Sequence, residues 1–175
     1  MNKTNKSLKE WNAIVEALGT GLQTIIIRKN PTNAEGFLLY PTFNYALKEE
    51  YLKNFKKEFH TFVEENSLII IDKDREIIEI KFYAKVEKVL EISPQKLRSI
   101  NNYHIWNNNH VKDYLSNKKG YIWFLKIYKL KENIIVDKHR GMRFINLKNE
   151  ISLVNKVPVI GEKEYSNIRK VFKNK

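Results

Sequence analysis

The clearest alternation of apolar and polar positions runs through Ile78-Glu79-Ile80-Lys81-Phe82-Tyr83-Ala84-Lys85-Val86. Successive side chains of a strand point to opposite faces, so this pattern predicts a strand with one buried face. The phase breaks at Lys88-Val89, which reads as a bulge that bends a sheet toward closure. A second run, residues 121–130, is apolar at nearly every position and predicts a strand covered on both faces. Between the two runs lies an aromatic insert with Tyr103, His104, Trp106 and His110, bracketed by asparagines.

Elsewhere the period is helical. Ser7-Leu8-Lys9-Glu10 has capping-box spacing, and Leu8, Trp11, Ile14, Val15 and Leu18 share one face up to Gly19, so a helix is expected from Ser7 with Trp11 in the core. A stripe of Leu52, Phe55, Phe59, Phe62 and Val63 predicts another core-facing helix over residues 48–65. A last helix over residues 162–172 buries Tyr165, Ile168, Val171 and Phe172. Residues 22–29 and 36–40 read as strands that pair as a hairpin across Asn30-Pro31-Thr32-Asn33. Residues 68–71, 134–136, 144–147 and 157–160 predict further short strands, with Leu68 to Ile71 buried. Pro94 begins a short helix that continues through Ile100. The expected fold is α+β: a small antiparallel β-barrel or a strongly bent sheet, with flanking helices.

With 175 residues, 42% of them apolar, and no linker rich in Pro, Gly or Ser, the chain is expected to form a single domain, 1–175. The start at Met1 is polar and no run reaches the length of a membrane span, so a cytoplasmic protein without membrane contact is expected. Absence of cysteine excludes disulfides, thiolate metal sites and cysteine nucleophiles. A net charge of +12 points to nucleic acid as the partner, RNA or DNA alike, because lysine and arginine displace counterions from phosphate. The abundance of lysine beside asparagine and isoleucine also fits simple codon bias.

Several blocks resemble an uncharacterised prokaryotic family, domain-of-unknown-function family 1802. They are Leu8-Lys9-Glu10-Trp11 with Glu16-Ala17-Leu18-Gly19, residues 23–29, Phe37-Leu38-Leu39-Tyr40-Pro41-Thr42, His104-Ile105-Trp106 and residues 125–130. The resemblance implies a His-Gln pair after the Tyr-Pro-Thr block, where this chain has Tyr45-Ala46. A catalytic role for that pair would be lost here, whereas a binding role tolerates the change. The glycine turn into a strand ending Arg28-Lys29, and the closing strands and helix, are more loosely similar to the PUA-like superfamily of ASCH, EVE and YTH domains. That similarity implies RNA or modified-base binding, with hydrolase activity in some ASCH relatives.

Binding an unstacked base takes an aromatic platform, a hydrogen-bonding edge and cations on the flanking phosphates. Candidates are Tyr103 and Trp106 for stacking, with Trp123 a core residue by its neighbours; Thr42, Asn107 and Asn109 for the edge; and Arg28, Lys29, Arg140 and Arg143 for phosphate. His104 belongs to the same group. The rival reading is a nuclease or amidohydrolase of the ASCH kind, with Lys29, Tyr40 and His104 converging on one pocket. An adaptor in a phage-related or defence assembly is a third reading. His104 and His110 lack metal-pair spacing, and no phosphate-binding or nucleophile motif is present, so neither metal nor cofactor is expected. Asp72 and Asp74 fall in a polar turn that needs no nuclease to explain it.

Overall fold

The computed structural model describes residues 2–173; Met1, the first residue of the polar start, lies outside them. In chain order come β1 (Lys3–Trp11), α1 (Asn12–Thr20), β2 (Ile25–Arg28), β3 (Gly36–Thr42), three short 3-10 helices, α2 (His60–Glu65), the small pair β4 (Ile71–Asp72) and β5 (Arg75–Glu76), and β6 (Ile78–Ile92). A 3-10 stretch (Pro94–Tyr103) follows, then α3 (Asn108–Tyr114), β7 (Gly120–Val136), β8 (Phe144–Ser152), β9 (Val157–Pro158) and α4 (Glu162–Lys173).

One mixed sheet runs β2-β7-β6-β3-β1-β8, with β9 against β7. Its long pair, β6 and β7, slips register between Ile80 and Phe82 and again between Val86 and Lys88, the second slip touching the predicted bulge. Such slips bend strands and increase their twist. The sheet nevertheless keeps two free ends, β2 and β8, so it is a strongly bent sheet and not a barrel. Nor is it wholly antiparallel, because β1 and β3 run parallel. Among the described residues no helix is long and apolar enough to cross a membrane.

The expected helix from Ser7 is replaced by strand through Trp11, and α1 begins only at Asn12. Both edges of β1 are hydrogen-bonded, to β3 and to β8, which satisfies backbone groups that a surface helix would have left to local capping. Ser7 caps nothing, since its buried hydroxyl has no partner. Residues 48–59 form 3-10 turns in place of the expected continuous helix, yet the stripe is still core: Phe55 and Val63 are buried, with Leu52, Phe59 and Phe62 packed against them. No hairpin joins β2 to β3, because β2 pairs with β7 while β3 lies between β1 and β6. Residues 134–136 prolong β7 and are no separate strand. Leu68 and Ile70, expected inside, are 73% and 57% exposed, because β4 pairs only with β5 and no layer covers it.

On β3, alternation divides the molecule into two cores. Phe37 and Leu39 face the main core with α1, α4 and the insert, while Leu38 and Tyr40 face a second cluster with Ile78, Leu130, Ile145 and Ile151. Adjacent residues pointing to opposite faces is the two-residue strand period.

Candidate functional site

Bending brings the free end of the sheet at β2 back toward β1. Arg28, the last residue of β2, donates from its terminal nitrogen to Oε2 of Glu10 on β1, and both side chains are at least nine-tenths buried. Glu10 Oε1 accepts from the Trp11 amide at 2.9 Å, and its carbonyl oxygen accepts from Thr42 Oγ1 at 3.2 Å. Arg28 also donates to the Ile27 carbonyl at 3.3 Å and lies over the Trp123 ring, 5.9 Å from its centre.

A cavity of about 300 Å³ opens on this ion pair, within the size range of small-molecule sites. Its walls are largely aromatic, with Trp11 from β1 and Trp106, His110 and Tyr114 from the insert. Lys9, Gly141 and Arg143 form the rim, and Thr42 lies beside Glu10. Three cations therefore face one carboxylate, which favours an anionic ligand.

The walls are held from behind. Trp11 stacks on Tyr45 with ring centres 4.9 Å apart and meets the His110 ring at 5.4 Å. Tyr45 is buried, its hydroxyl bonded to the Ala13 amide and to Ser67, and burial raises its pKa. So one of the residues standing where the family resemblance implies His-Gln supports the pocket wall. Burial likewise lowers the pKa of His110, against the opposing charges of Asp113 and Glu10.

Trp106 is only 6% exposed and bridges Phe55. The strip around it is sewn down by backbone bonds from Thr24 to Tyr103 (3.1 Å), from Lys56 to Ile105 (3.0 Å) and from Asn107 to Asn54 (2.8 Å). Gln23 Oε1 accepts from the Ile105 amide at 3.1 Å, and Lys56 Nζ donates to the carbonyls of Asn101 and His104. Asn107 caps α3 by accepting from the Asn109 amide. Opposite, the loop between β7 and β8 is pinned by Lys9, whose amide donates to the Arg143 carbonyl at 2.8 Å and whose Nζ donates to the His139 carbonyl. Tyr40 fastens the same loop, its hydroxyl accepting from the His139 amide at 2.7 Å.

Of the residues singled out by sequence, Arg28, Thr42, Trp106 and Arg143 meet in this cavity. Lys29 stands outside it, its ammonium 5.1 Å from the Tyr114 ring centre, and Arg140 is exposed on the rim loop. Tyr103 packs edge-on against Phe172 of α4. His104 is 2% exposed, behind Trp106 at 5.7 Å, and burial, with Lys56 adding to it, lowers its pKa to about 3. The hydrolase candidates Lys29, Tyr40 and His104 are thus not brought together: Tyr40 belongs to the second core and His104 is buried beside Trp106.

Arg28 is not a free surface cation, since its charge is committed to Glu10. Asp72 ends β4 and Asp74, at φ 66°, lies in the turn to β5, both of them exposed. Among the described residues no three His, Asp or Glu side chains cluster as metal ligands would. Glu10, Trp11 and Tyr114 are site residues that the sequence reading missed. The first two have the pattern of a helix cap and a core stripe, and only strand pairing turns them toward the pocket.

No curated protein matches the chain. Among solved structures, an ASCH mutant protein from Zymomonas mobilis is similar at 14% identity and a TM-score of 0.45, covering 98% of this chain and 99% of that one. Another crystal structure of ASCH from the same organism is similar at 13% identity and a TM-score of 0.44, covering 94% and 93%. The model of the family described as Domain of unknown function (DUF1802) matches residues 7–171, nearly the full length, and the chain belongs to that family.

Proposed function

We propose that the protein binds nucleic acid, RNA or DNA, and that the cavity takes one unstacked base. The supporting observation is the placement of Trp11, Trp106, His110 and Tyr114 around a buried Glu10–Arg28 pair, with Lys9 and Arg143 at the mouth. Aromatic faces stack on any base, because every base has a π-face. A polar pair at the base edge supplies hydrogen bonds that water would otherwise make, and rim cations hold the flanking phosphates. A role of the PUA-like kind in the cytoplasm suits this arrangement.

Titration of the intrinsic tryptophan fluorescence with single-stranded RNA and DNA oligonucleotides tests it. Binding should quench Trp11 and Trp106 and weaken with salt, the logarithm of the affinity falling by about 0.7 per phosphate contact for each logarithmic unit of salt. No binding, or binding indifferent to salt, overturns the proposal and leaves the basic charge as a property of the surface alone.

A further inference from the structure

We infer that Glu10 makes this pocket selective for bases carrying an exocyclic amino group over uracil and thymine. The inference rests on the proposed base binding and adds to it the edge that the site reads.

The Glu10 side chain is only 7% exposed, yet it lines the cavity. A carboxylate has about four lone-pair positions and no donor. Two of them are engaged, Oε1 by the Trp11 amide and Oε2 by Arg28. The remaining acceptor capacity belongs to a group largely withdrawn from water, so a ligand that offers an N–H supplies what the solvent cannot. Arg28 reinforces the pattern. Its guanidinium has five N–H groups, and its bonds run to the Ile27 carbonyl and Glu10 while its Nε has no partner. Terminal N–H capacity is left for an acceptor next to the amino group.

Cytosine and uracil isolate the effect. Their rings are alike in size and stack alike on Trp11 and Trp106, but cytosine carries an amino group where uracil carries a carbonyl. The amino group donates to a carboxylate. In the same pose uracil turns its carbonyl toward the carboxylate and its ring N–H toward the Arg28 N–H groups, so acceptor meets acceptor and donor meets donor in a desolvated site.

The test uses hexamers of abasic sugar-phosphate units that carry one base, cytosine or uracil, at the same position, so the phosphate count is constant. For the wild-type protein the cytosine hexamer should bind about tenfold tighter or more. In Glu10→Gln, whose single carbonyl oxygen can keep the Arg28 contact while an N–H group takes the place of the other oxygen, the ratio should fall to near unity. Uracil bound as tightly as cytosine, or a folded Glu10→Gln protein with an unchanged ratio, overturns the inference while leaving base binding intact. Should that variant fail to fold, N4,N4-dimethylcytosine in the same hexamer replaces it. Its affinity should drop to that of uracil, and affinity equal to cytosine overturns the inference. A hexamer with no base that binds as tightly as the cytosine hexamer overturns the base-binding proposal itself.

Discussion

Arg28 and Glu10 form a buried ion pair that ties β2, the outermost strand at one end of the sheet, to β1, which lies next to the other end. The side chains are 10% and 7% exposed. Two charges out of water are stable together only while each serves the other, and removing one strands its partner. Arg28→Ala should therefore lose about 3 to 5 kcal/mol of folding stability, read by urea denaturation. Replacing both residues with leucine should cost less than the single change. A double variant as unstable as Arg28→Ala would mean that the pair is not the source of the loss.

Stacking and charge separate in the salt dependence of binding. Trp11→Leu should weaken oligonucleotide affinity by roughly 1 to 3 kcal/mol with an unchanged salt slope, because stacking releases no counterion. Arg143→Ala should flatten the slope by about 0.7, because one phosphate then keeps its counterion. Arg28→Ala, whose charge is already paired, should leave the slope nearly unaltered in whatever fraction stays folded. Salt titrations of the three variants distinguish these outcomes.

His104 gives the fold a specific acid sensitivity. Its pKa falls from 6.5 in the unfolded chain to about 3 in the folded one, chiefly because burial disfavours the charged ring. Between these values the unfolded state binds the extra proton, so stability is complete above pH 6.5 and falls as the pH drops toward 3. The slope attributable to this one group is about 1.4 kcal/mol per pH unit. Denaturation across that range should show the loss, and His104→Asn should flatten it. An unchanged pH profile in the variant would place the proton elsewhere.

Gly36 begins β3 where that strand meets β6, and a Cβ there would lie 2.8 Å from the Ala84 carbonyl oxygen and run into the Tyr83 ring. Backbone in a ladder cannot easily move aside, so Gly36→Ala should lose about 1 to 3 kcal/mol. Gly161→Ala, where a Cβ meets nothing within 4 Å, is the matched control in the same thermal melts.

What the chain determines by itself is the set of segments whose period no neighbour can overrule. The alternation at residues 78–86, the continuous apolar run at 121–130, the bulge near Lys88 and the amphipathic α4 all appear where the side-chain pattern puts them, because each carries enough apolar surface to choose its own face. The aromatic insert was legible on a different ground, as a non-periodic cluster among asparagines, from which the fold took Trp106 and His110 as walls. Tertiary structure decided the rest. Residues 7–11 have helical spacing, but two flanking strands offer their backbone more hydrogen bonds than a helix end does, and this long-range choice turns Glu10 and Trp11 into the pocket. The pairing of β2 with β7 instead of β3, the meeting of Arg28 with Glu10 and the separation of Tyr40 from His104 all depend on how the sheet bends. Contacts between residues distant in sequence leave no local period, so only the folded chain contains them.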